Sequence, residues 1–68
     1  MSRLYSSKQI IQVLKKNGFT QISQKGSHIK LRKEENIVIV PHPKAEIPMG
    51  TFYSILRQCG LTREDFKK

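Results

Sequence analysis

Sixty-eight residues allow one domain at most, so residues 1–68 are expected to fold as a single unit too small to enclose a deep internal pocket. Thirteen Lys and Arg against five Asp and Glu give a formal net charge of +8, so the surface attracts polyanions and the expected partner is nucleic acid or an acidic protein. The opening MSRLYSSKQIIQVLKK lacks an apolar core of signal-peptide length, no run is long enough to span a bilayer, and the one cysteine, Cys59, has no partner for an internal disulfide; a soluble, cytoplasmic protein without a membrane role is expected.

Ser6, with Gln9 three residues later, reads as a capping box, and Ile10, Ile11, Val13 and Leu14 follow at helical spacing. A helix is predicted over Ser7–Asn17, stopped by Gly18. Two short extended stretches come next, Phe19–Gln24 and Ser27–Lys33, joined by Lys25-Gly26 as the connection of an antiparallel hairpin. Glu34, Glu35 and Asn36 form a second polar turn, and the β-branched run Ile37–Val40 makes a third strand that Pro41 ends. Residues 41–48 then cross as an ordered loop to a second helix opened by Gly50-Thr51, whose Phe52, Ile55, Leu56 and Cys59 share one face before Gly60 terminates it. Thr62 caps a last short turn, with Phe66 folded back on the core and Lys67-Lys68 frayed.

The order is α-β-β-β-α. Such a chain buries both apolar helix stripes against one face of a three-stranded antiparallel sheet and leaves the other face in water, an α+β class. Side chains alternate along a strand. If Ile29 and Leu31 face the helices, His28, Lys30 and Arg32 point away together.

That grouping has a chemical meaning. Metal-free RNA cleavage needs a group to take the proton of a ribose 2′-OH and cations to hold the phosphate and its developing charge. Histidine suits the first task, being able to act in either protonation state near neutrality. Lys25, Lys30 and Arg32 suit the second. Strand histidines are nevertheless more often surface or structural residues, and cations there also keep a sheet from aggregating, so the pattern alone licenses nucleic-acid binding and stops short of an enzyme. His42, between two prolines, is either a second proton donor or a solvated loop residue, the latter fitting its surroundings better. His28, His42 and Cys59 lack metal-ligand spacing and carboxylates are scarce, so no metal is expected. Cys59 fits the core. Tyr5, Phe19 and Tyr53 are candidates for base stacking or for packing.

Several separated motifs, in order, resemble one family. Gly26-Ser27-His28, then Val40-Pro41-His42-Pro43, then Gly50-Thr51 leading into Ser54-Ile55-Leu56-Arg57-Gln58 and Gly60-Leu61 are similar to the HicA toxins, as are Ile10, Leu14 and Gly18-Phe19 in the first helix. The resemblance runs from Ser7 to Phe66, with Phe52 and Tyr53 departing from the usual leucine and basic residue. It implies a fold like a double-stranded-RNA-binding domain and an mRNA interferase, an endoribonuclease of a toxin–antitoxin module held inactive by a HicB-type antitoxin. It also implies that His28 is catalytic and that Gly26 and Ser27 shape the hairpin beside it; chemistry of the kind set out above needs no cofactor, and none is expected. The chief alternative is a non-catalytic RNA-binding module of the same fold; a further one is an interaction protein whose basic surface serves an acidic partner.

Overall fold

The computed structural model describes residues 4–67, in the order α1 (Ser7–Lys16), β1 (Thr20–Lys25), β2 (His28–Lys33), β3 (Asn36–Pro41), α2 (Met49–Cys59) and a 3-10 turn over Arg63–Phe66. Helix α1 starts where its capping box predicts. The Ser6 hydroxyl accepts from the Gln9 N–H and the Gln9 side chain accepts from the Ser6 N–H, satisfying two donors that a helix start otherwise leaves bare. It stops one residue sooner than predicted, with Asn17 as the cap. Helix α2 begins at Met49 instead of Gly50-Thr51, and ends at Gly60, whose φ of +73° is open to glycine without a Cβ clash.

The strands run antiparallel in the order β1-β2-β3. Lys25 pairs directly with His28, so the first hairpin closes through Gly26-Ser27, one residue later than predicted, and Ser27 belongs to the turn. Gly26 has φ +54°, positive at the first loop position only, the pattern of a type II′ turn. Pro41 is the last residue of β3, paired with His28.

One core joins the elements. Ile29, Leu31, Val38 and Val40 from the sheet meet Ile10 and Leu14 of α1, Phe52 and Ile55 of α2, and Phe66, so both helices lie on one sheet face, the layering expected for a fold like a double-stranded-RNA-binding domain. Each such side chain contributes roughly 1.5–3 kcal/mol by leaving water. Tyr5, Phe52 and Phe66 stack in one cluster, with centroids 5.2 to 6.0 Å apart. The Lys67 N–H still donates to the Glu64 carbonyl, so backbone order reaches Lys67; Lys68 lies outside the described residues. At the β3 edge, the Gln58 side chain accepts from the Ile39 N–H at 3.0 Å, occupying a donor that an edge strand would otherwise offer to another chain.

The crossing loop is better anchored than its polar composition suggests. Ile47 is fully buried in the core and its N–H donates to the Tyr5 carbonyl, while Ser7 and Lys44 exchange backbone and side-chain hydrogen bonds.

Candidate functional site on the open sheet face

Residues directly opposite each other on paired strands share a face, so the register alone lays out the sheet surface that the helices leave uncovered. Three rows cross it: Lys25, His28 and Pro41 at one end; Ser23, Lys30 and Ile39 in the middle; Thr20, Arg32 and Ile37 at the other end. Ile29 and Leu31 are buried between these positions, so His28, Lys30 and Arg32 do point away from the helices as the alternation predicts. His28 is exposed, and no hydrogen bond or ion pair engages its ring among the described residues.

The cations are not equivalent. Lys25 faces His28 across the pair, where Cβ atoms stand about 5 Å apart, and Lys30 follows two residues along β2, about 7 Å on. Arg32 lies four residues away, about 13 Å at the strand rise. Its Nε donates to the Glu34 carbonyl at 2.8 Å, tying it to the far turn. Lys25 and Lys30 therefore form one cluster with His28, and Arg32 belongs to a more distant part of the same surface. Among the described residues the one ion pair is Lys67 with Glu64 at 3.6 Å, which leaves all three of these cations free of carboxylate partners. Gly26 and Ser27 set the turn beside His28, and the Ser27 carbonyl accepts from the His42 N–H at 2.8 Å.

His42 is not the solvated loop residue its neighbours suggested. It is half-buried, and its Nδ1 lies 2.7 Å from the Ser7 hydroxyl, which is itself buried at the start of α1. Pro41 shares the open face with His28, so the next residue, bonded to α1, projects to the helix side. The two histidines thus stand on opposite faces of one sheet end, and a direct two-histidine acid–base pair has no geometric basis.

Base stacking narrows in the same way. Phe19 is buried and Tyr5 packs on Phe52 and Phe66, which removes both from a stacking role; Tyr53, 39% exposed, keeps an accessible ring. Burial pushes the Cys59 thiol above its ordinary range, and its sulfur donates to the Leu56 carbonyl, the behaviour of a core residue. No group of three or more His, Cys, Asp or Glu side chains gathers as a metal site among the described residues, and no described helix is long and apolar enough to cross a membrane.

Sequence reasoning missed one component of the surface. Ile37 and Ile39 are 45% and 38% exposed on the open face, and Ile22, 47% exposed, occupies a bulge between Gln21 and Ser23. The β-branched run of β3 marks a strand without saying which side chains face the core; period-two alternation sends only Val38 and Val40 inward. Ile37 and Ile39 beside these cations make a mixed apolar and basic surface.

Comparison with known proteins agrees with this architecture. Residues 7–61 match the family model described as the HicA toxin of bacterial toxin–antitoxin systems. No curated protein matches the chain.

Proposed function

Because the chain belongs to the HicA toxin family and so is the toxin of a toxin–antitoxin module, we propose that it arrests growth as a metal-independent endoribonuclease that cleaves mRNA, with His28 as the catalytic residue. The observation that carries this reading is the exposed, unengaged imidazole directly opposite Lys25 and near Lys30. A ribose–phosphate chain laid on this end of the sheet reaches all three groups at once.

The reaction is a transesterification. His28 takes the proton of a 2′-OH, the 2′-oxygen forms a bond to the adjacent phosphorus, and the bond to the 5′-oxygen breaks, leaving a 2′,3′-cyclic phosphate. The departing 5′-oxygen is protonated from the water that bathes the open face. Lys25 and Lys30 bind the phosphate and offset its added negative charge as the 2′-oxygen attacks. Positioned proton transfer of this kind supplies about 10²–10⁴-fold in rate. Arg32 contacts phosphate farther along the strand and adds affinity in place of chemistry.

The partner that silences it is a HicB-type antitoxin covering the same face. Exposed isoleucines offer RNA little, whereas a protein carrying apolar and acidic side chains matches both components of the surface.

Inducible expression in a bacterium tests the function. The unaltered chain stops growth and leaves cleaved transcripts, and His28→Ala restores growth with transcripts intact at equal protein level. Undiminished toxicity of His28→Ala eliminates the assignment.

A further inference from the structure

The helix side of the sheet holds a second surface. All six residues of β1 are exposed, so its inner side stays open beside α1. The resulting groove, about 440 Å³, has Ile29 in its floor, Lys8, Gln12 and Lys15 along α1, and Gln21 and His42 opposite. No carboxylate lines it. A larger groove between α1 and the C-terminal turn, about 650 Å³, includes Asp65 in its lining and so presents mixed charge.

Spacing and orientation suit a phosphate chain. Lys8, Gln12 and Lys15 fall at i, i+4 and i+7, one stripe of α1. Seven residues at the helical rise put the two lysines about 10 Å apart along the axis, far enough to meet different phosphates of one strand. His42 is held by two bonds, its N–H to the Ser27 carbonyl and Nδ1 to the Ser7 hydroxyl. Held through Nδ1, the ring leaves Nε2 without a partner among the described residues. Pro41, the residue before His42, pairs with His28, so the groove opens at the same end of the sheet as the proposed catalytic group.

We propose that this groove binds the sugar–phosphate backbone of the RNA strand on one side of the cleaved bond, with Lys8 and Lys15 contacting phosphates and His42 presenting Nε2 to the strand. The strand rounds the sheet end between His28 on one face and the groove on the other. The preferred substrate is therefore a single strand several nucleotides long, and a dinucleotide is held poorly. The inference rests on the RNA-cleaving function proposed above.

Fluorescence anisotropy with 2′-O-methyl oligonucleotides, which lack the attacking hydroxyl and are not cleaved, measures the groove apart from the chemistry. Three proteins are compared: the unaltered chain, Lys8→Gln with Lys15→Gln, and Lys16→Gln with Arg57→Gln, which removes equal charge outside this groove. Thermal melts by circular dichroism establish that all three are folded. A 12-mer is expected to bind far more tightly than a 4-mer. The Lys8 and Lys15 pair is expected to lose about tenfold in affinity for the 12-mer and about 1.4 in salt slope, at 0.7 per contact on a single strand, with under about threefold loss for the control pair. Equal losses in the two double variants, an unchanged slope, or tighter binding of a polyglutamate peptide than of the 12-mer in the same groove overturns the proposal. Cleavage of the matching RNA by the unaltered chain is followed in parallel. Failure there sinks the nuclease while the oligonucleotide result still decides the groove.

Discussion

Glu34 carries a backbone φ of +56° in the two-residue turn between β2 and β3, the only non-glycine residue with positive φ among those described. Its Cβ is crowded in that conformation, at a cost of about 1–2 kcal/mol. Gly26 holds the equivalent place in the first hairpin without that cost. Glu34→Gly is therefore expected to raise stability by up to about 1 kcal/mol once its added unfolded-state entropy is counted, and Glu35→Gly to lower it. Thermal melts of the two variants decide the matter, and a fall in melting temperature for Glu34→Gly refutes the assignment of strain. Cys59 behaves differently again. Burial raises its thiol pKa, so it stabilises the fold fully below the pKa of the free thiol, and that contribution is lost as pH climbs through the folded value. Iodoacetamide at pH 8 is accordingly expected to modify the native protein far more slowly than the protein in denaturant; equal rates would show an accessible thiol.

Among the elements, α2 anchors the fold through Phe52, which is buried and contacts the rings of Tyr5 and Phe66. Phe52→Ala is expected to cost about 3–5 kcal/mol, a large share of what so short a chain possesses. Chemical denaturation reads this directly, and a loss under about 1 kcal/mol contradicts the central place given to this ring. The elements themselves were legible because their signals are local: the Ser6 and Gln9 pair starts α1, Gly60 ends α2, and period-two alternation separates Ile29 and Leu31 from His28, Lys30 and Arg32. What escaped depends on contacts distant in sequence. Ile47 enters the core and His42 bonds Ser7 only because the loop over residues 41–48 folds against the start of α1. The bulge at Ile22 is likewise a matter of pairing with β2, which no local pattern in β1 reveals. For the candidate site, alternation placed His28 with its cations, but the register was needed to show that Lys25 faces it and Arg32 does not.

At the scale of the molecule, thirteen cations against five acids are distributed so that both sheet sides offer carboxylate-free ground, an open face with His28 and a groove along α1. On the function proposed above, an antitoxin silences the toxin by occupying the open face. Hydroxyl-radical footprinting of the complex with a HicB-type antitoxin is expected to protect Ile37 and Ile39 more than Val13 and Leu61; protection confined to the helix side contradicts that mode of inhibition.

The most direct measurement is made with purified protein and a labelled single-stranded RNA in buffer containing EDTA, following cleavage in a single turnover and binding in a separate titration. The unaltered chain is expected to cleave, and His28→Ala to bind RNA within about threefold of it while its cleavage rate falls by about 10²-fold or more. Cleavage by His28→Ala at the original rate would show that the imidazole at the start of β2 is not the group that moves the proton.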